Sequence, residues 1–155
     1  MSVRINTEEK TLLIHQVLTF NNTSNDTLKH IILNDWNNAF SSKSSALAKK
    51  YYDEFVRAFH LASEKERGFT SIKTVVDGNY QSVNWKRPNE KVDLVKLELN
   101  QPILPLSKQT FTLVYEVKIP DAKFTRYGYD NNGRITLKNW YLNPSRYEHK
   151  QFVQQ

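Results

Sequence analysis

Alternate positions near residues 111–119 are apolar: Phe111, Leu113, Tyr115, Val117 and Ile119, with Thr110, Thr112, Glu116 and Lys118 on the opposite parity. A period of two is the pattern of a strand with one buried face, whereas a helix would scatter these side chains around its surface. Burying side chains of this size is worth roughly 1.5 to 3 kcal/mol each as an upper bound, so the face requires a partner sheet. Upstream, Val92 to Leu99 reads as a second strand, and the connection Asn100 to Lys108 carries Pro102 and Pro105, which lack backbone donors. The expectation is an antiparallel pair joined by a proline-pinned loop.

Along the rest of the chain the same period recurs. Val3 and Ile5 open a short extended segment, and Leu12, Ile14, Leu18 and Phe20 form one face of the next, so a hairpin is expected there. The cluster Asn21 to Thr27 is turn-forming, because short Asx and Ser/Thr side chains hydrogen-bond their own backbone. Leu28 to Leu33 reads as a further strand. From about Trp36 to Arg67 the pattern changes. Ser41 to Ser45 can cap a helix, and Leu47, Tyr51, Phe55, Ala58 or Phe59, and Ala62 follow at near-helical spacing, which predicts an amphipathic helix of about 17 residues. Ser63 and Glu66 have the spacing of a capping box, and Gly68 can supply a left-handed stop.

Strands return at Thr70 to Val76 and Asn79 to Trp85, with Asp77-Gly78 between them as the signal of a type I′ hairpin. Beyond Pro120 the sequence reads as a polar loop through Gly128, a turn at Asn131-Asn132-Gly133, a strand from Arg134 to about Tyr141, and a tail without apolar periodicity. The expected fold is mainly β: one domain over residues 1–155, an antiparallel β-sandwich or curved stacked sheets of about seven to nine strands, with one helical insertion at about residues 44–67.

At 155 residues the chain can bury about two thirds of its unfolded surface without a disulfide or a structural metal. It has no cysteine, which rules out disulfides, thiolate zinc sites and a cysteine nucleophile but leaves the compartment open. The charge of +6 would suit an anionic partner; however, the bases are dispersed and accompany no phosphate loop, zinc-finger spacing or RNA-binding aromatic signature, so nucleic acid is not expected as a partner. No apolar run approaches the roughly 20 residues of a membrane span. Strand-like residues follow Met1-Ser2 directly, which is consistent with removal of an upstream segment, and the localisation stays open, an exported or membrane-associated parent included.

Candidate chemistry is sparse. His15, His30, His60 and His149 lie far apart and form no HExxH, so no metal ligand is assigned. No serine sits in a Gly-x-Ser-x-Gly elbow. Glu64 with Glu66, and Asp53 with Glu54, fall in the helical block, where a solvated face explains them. Trp36, Trp85 and Trp140 stand near strand ends; core packing explains them, and a sugar-stacking platform is the alternative. Asn-x-Ser/Thr sequons at Asn21, Asn22 and Asn25 carry meaning only in a glycosylating host. No catalytic, cofactor-binding or metal residue is therefore expected in the chain.

Several strings together resemble the amino-terminal β domain of the gluzincin zinc aminopeptidases, the aminopeptidase N family, and divergent bacterial members in particular. Ile32 to Ser45, ILNDWNNAFSSKSS, resembles a strand end of the form Leu-Asn-x-Trp-x-x-Ala-Phe, followed by a helical insertion and Glu66-Arg67-Gly68. Leu97 to Tyr115 is similar to the family's proline-containing strand pair, with Leu106 and Ser107 where a glycine-serine turn is usual. Ile119-Pro120 and Phe124-Thr125-Arg126-Tyr127-Gly128 resemble a further element, and Asn139-Trp140-Tyr141 resembles a Trp-Tyr-Pro element in which Leu142 replaces the proline.

The resemblance implies a non-catalytic scaffold that packs on a catalytic domain of the same polypeptide and shapes its cleft. Zinc and peptide substrate belong to the full-length protein, a zinc metallopeptidase, because the HExxH ligands lie in the following domain. It also implies that the chain is a truncated piece, ending before its own domain does, with self-association expected through an exposed carboxy-terminal edge at Arg134 to Tyr141. Asn139 lies near the region that grips a substrate's amino terminus in that family, and no residue is assigned to that role. The alternative function is an independent binding module for glycan or peptide.

Overall fold

The computed structural model describes residues 1–88 and 91–153. Strand accounts for 46% of the chain and helix for 13%, which makes the fold mainly β and sandwich-like, as expected. One sheet contains β1 (Ser2–Asn6), β2 (Thr11–Asn21), β7 (Lys108–Lys118) and β4 (Phe69–Asp77) in the order β1-β2-β7-β4. The other contains β10 (Asn143–Pro144), β3 (Leu28–Asn34), β6 (Leu94–Ile103) and β5 (Asn84–Lys86) in the order β10-β3-β6-β5. All of these pairings are antiparallel.

The alternation at Phe111 to Ile119 is reproduced in burial, all five apolar side chains being sealed from solvent. β7 is one of the two interior strands of its sheet. It runs beside β2 from Lys108 opposite Asn21 to Lys118 opposite Thr11, and beside β4 on its other side. Its inward face meets Ile31, Leu33, Val95, Leu97 and Ile103 of the second sheet in one apolar core.

The expected pairing of the two strands flanking Pro102 and Pro105 is corrected: β6 and β7 lie in different sheets and share no ladder. β7 has a fully buried face and β6 one buried at Val95, Leu97 and Ile103, and two such faces are satisfied by opposing one another across the core rather than by lying side by side. β6 also runs through Pro102 to Ile103, with Leu28 opposite Ile103 across an irregularity in the ladder.

The Asp77-Gly78 hairpin is corrected as well. Tyr80 N donates to Asp77 O, Asp77 N donates to Gln81 O, and Tyr80, not Gly78, takes positive φ at 60°. This is a type I turn closed by a bulge in the left-handed region. The chain makes only a bridge at Val76 and Ser82 before β5 crosses to the second sheet.

The expected single helix is broken. A 3-10 turn at Trp36–Ser41 precedes α1 (Ala46–Asp53) and α2 (Arg57–Leu61). Ser45 caps α1 by accepting from Ala48 N at 3.1 Å. Phe55 ends that helix with φ at 59°, a position that favours glycine, while Val56 N returns to Tyr51 O. The resulting elbow turns Phe55 outward at 84% exposure, so the buried face is formed by Ala48, Tyr51, Phe59 and Ala62, and Phe55 is not on it. Ser63 and Glu66 do hydrogen-bond reciprocally, but as a turn rather than a helix start.

Toward the carboxy end, the expected strand from Arg134 to Tyr141 shrinks to β9 (Ile135–Thr136), paired with β8 (Gly128–Tyr129). The tail, in which no apolar periodicity is legible, contains the hairpin β11 (Arg146–Glu148) and β12 (Gln151–Val153), whose turn places His149 and Lys150 at positive φ. Tyr147 and Phe152 pack on the core from it. Gln151–Val153 is thus an ordered strand; Gln154 and Gln155 lie outside the described residues, as do Asn89 and Glu90.

Candidate functional site

At the end of β3 the chain runs Asp35-Trp36-Asn37-Asn38, and three of these four side chains are buried despite being polar. A buried polar group must find partners. Asn37 Nδ2 donates to Phe69 O at 2.8 Å and to Lys118 O at 3.1 Å, and its Oδ1 accepts from Tyr127 Oη at 2.8 Å. Asn38 Nδ2 donates to Val92 O at 2.6 Å while its Oδ1 accepts from Thr70 N at 2.9 Å. Asp35 accepts from Thr70 Oγ1 and from Arg87 Nη2, both at 2.7 Å. The string thus stitches the starts and ends of β4, β6 and β7 together. Burial pushes the Asp35 carboxyl above the usual carboxylate range, and the Arg87 guanidinium and Thr70 hydroxyl oppose that shift.

Two glycines abut Pro120 at the same corner. A Cβ on Gly68 would meet Lys118 O and Pro120 Cδ at 2.8 Å, and one on Gly128, at φ of 132°, would meet Pro120 O at 2.2 Å. Glu66 lies alongside, bonded to the ammonium of Lys123 and, less strongly, to Ser63, which together hold its carboxyl down at about 2.

Next to this network is a cavity of about 260 Å³ walled by Trp36, Phe40, Leu47, Tyr51 and Tyr127, with Asn139 at its edge. Phe40 and Tyr127 stack at 5.6 Å. The walls are largely aromatic, the Asn37 and Asn38 amides beside them are already hydrogen-bonded, and the buried Tyr51 hydroxyl has no partner among the described residues, so this corner can hold an apolar group and position chain segments. A larger depression of about 790 Å³ lies at the α1–α2 elbow, where Tyr52, Phe55 and Leu61 are largely exposed.

The histidines are dispersed in space as in sequence. His15 is exposed on β2, His30 packs on Phe152, His60 bonds Ala48 O, and His149 sits in a hairpin turn. Among the described residues no group of three or more His, Cys, Asp or Glu could hold a metal ion. Trp36 lines the small cavity, Trp85 lies on β5 and Trp140 packs on the core beside Tyr141; among the described residues no two tryptophans form a ring pair. Glu54 pairs with Lys50 across one helical turn. No helix among the described residues is long and apolar enough to cross a membrane.

Sequence reasoning did not anticipate the Asp35–Arg87 pair or the buried Gln16. Gln16 occupies a core-facing parity on β2, and only that parity marked it out. The class defined by these features is a mainly-β, sandwich-like domain whose most connected polar cluster is a joint between its sheets. Comparison with protein-family models returns no match, and comparison with curated proteins returns none.

Proposed function

We propose that the chain is the non-catalytic amino-terminal β domain of a zinc aminopeptidase-like protein, a scaffold that packs on a catalytic domain and shapes one wall of its substrate cleft. The observation that supports this is convergence. The strings that resemble the family lie up to 90 residues apart where Asn37 meets Tyr127, yet Asp35 to Phe40, Glu66 to Gly68, Pro120 to Gly128 and Asn139 gather at one corner. Exposed Tyr52, Phe55 and Leu61 provide apolar surface of the kind that domain packing covers. In this reading the catalytic zinc and the peptide substrate belong to the whole protein, and a coding sequence continuing past Gln155 to an HExxH is expected.

The test is direct. The isolated chain, assayed with fluorogenic aminoacyl substrates and zinc, should give no turnover; turnover that a chelator abolishes overturns the reading. A glycan- or peptide-binding module remains the competing proposal, and titration of both ligand panels while following tryptophan fluorescence addresses it. Saturable binding lost on Trp85→Ala or Trp140→Ala favours that module.

A further inference from the structure

The two main sheets have four edges, and three are blunted. β4 has a register shift between Ile72 and Thr74 and is bridged beyond it by Val76 to Ser82 and by Val83 N donating to Val75 O. β5 has three residues, one of them Lys86, and β10 has two, one of them Pro144. Short strands, lysines, prolines and bulges are the devices that stop an edge from recruiting another strand.

β1 has no bulge, lysine or proline and is five residues long, with Arg4 as its one charge. It pairs with β2 in unbroken register from Ser2 opposite His15 to Asn6 opposite Thr11, and every one of its residues is exposed. Its alternate backbone N–H and C=O groups point away from β2. Val3 and Ile5 lie opposite Ile14 and Leu12, hence on the core-facing side of the sheet, yet they are 42% and 50% exposed and lie outside the apolar core cluster. Arg4, opposite Leu13, lies on the other face, and among the described residues it forms no ion pair.

We propose that β1 is a docking edge for an extended segment of another polypeptide, one that adds a fifth strand to this sheet, alternating apolar residues against the Val3–Ile5 row with an acidic residue beside Arg4. Strand addition obtains affinity from main-chain hydrogen bonds and selectivity from alternate side chains. A second copy of this chain fits poorly: antiparallel pairing of β1 with itself centred on Arg4 sets two guanidinium groups opposite one another, and like charges at that position are destabilising. The inference does not depend on the aminopeptidase reading, since it uses only the edge, its uncovered apolar row and its unpaired charge.

The probe is a blocked nine-residue peptide alternating valine with glutamate, compared with a valine–lysine counterpart and with the valine–glutamate peptide N-methylated at alternate residues. The expected result is saturable binding of the glutamate peptide, seen as slowed exchange of those β1 amides that face away from β2. N-methylation should abolish it. Arg4→Glu should weaken the glutamate peptide and strengthen the lysine peptide by about two- to fivefold each, the range of one cross-strand charge pair. The proposal is overturned if the β1 amides gain no protection at millimolar peptide, if the N-methylated peptide binds equally well, or if Arg4→Glu leaves the preference unchanged. Sedimentation that shows concentration-dependent association, lost on Ile5→Lys, would assign the edge to a second copy and overturn it too.

Discussion

Removing one hydroxyl, by Tyr115→Phe, tests how the core is joined to the irregular segment before β10. Tyr115 Oη donates to Gln16 Oε1 at 2.5 Å and accepts from Leu142 N at 3.1 Å, while Gln16 Nε2 donates to Leu142 O at 2.8 Å. The ring of bonds links β7, β2 and the Leu142 backbone, and Tyr115, Gln16 and Leu142 are all buried. Burial also pushes the Tyr115 hydroxyl far above its ordinary range, so it stays neutral and able to donate at any usual pH. The phenylalanine variant keeps the packing but leaves Gln16 Oε1 and Leu142 N without this partner. An unsatisfied buried group costs about 1 to 3 kcal/mol, so the pair predicts a loss of about 2 to 6 kcal/mol, or roughly 4 to 24 °C in Tm for a domain of this size.

Gln16→Leu should cost a similar amount. The double variant should cost less than the sum of the two by about 1 kcal/mol or more, because the second change removes groups that the first left stranded. Urea denaturation followed by circular dichroism reads all three. A loss under about 0.5 kcal/mol for Tyr115→Phe, or strict additivity in the double variant, would refute the claim that this ring of bonds is closed and dry.

Four further outcomes are expected. Leu113→Asp should unfold the domain or make it insoluble, since an unpaired charge on a buried face costs several kcal/mol against a total of about 5 to 15, whereas Thr112→Asp on the opposite parity should be far milder; solubility and chemical denaturation compare them, and equal damage would show that both faces are buried. Arg87→Leu leaves the Asp35 carboxylate buried without its cation and should cost about 3 kcal/mol or more, with partial recovery in the Arg87→Leu, Asp35→Asn double variant, both read by urea midpoints. Glu66 titrates at about 2 in the folded chain against an ordinary value of 4.5, so its stabilisation is complete above about pH 4.5 and is lost as pH falls toward 2; carbon-detected NMR titration checks the value, and Glu66→Gln should remove that part of the acid dependence. Phe55→Gly should stabilise the isolated domain by about 0.5 to 1 kcal/mol, measured by thermal denaturation, because it relieves a left-handed backbone at a side chain that makes little contact.

Period and parity along the chain were sufficient for the local facts: the face of β7 that is buried, the β1–β2 hairpin, the Ser45 cap and the mainly-β class. Each depends on neighbours within a few residues, and a strand's alternation survives in any sheet that covers one side of it. Which strand lies beside which was not legible. Val92 to Leu99 and the alternating run at Phe111 to Ile119 read as an antiparallel pair because they are consecutive, but two strands with apolar faces can lie side by side or oppose one another, and only the competition from β2, β3 and β4 for their edges selects the second arrangement. The break at Phe55 was invisible for a related reason: phenylalanine at helical spacing carries no local signal for positive φ, and the elbow exists because Tyr51 and Phe59 must reach one cluster with Phe40 and Phe124. The polar joint is the clearest case. Asp35, Asn37 and Asn38 look like turn residues in sequence, and what makes them a joint is that Thr70, Arg87, Lys118 and Tyr127, distant in the chain, converge where water is excluded and every donor must be answered.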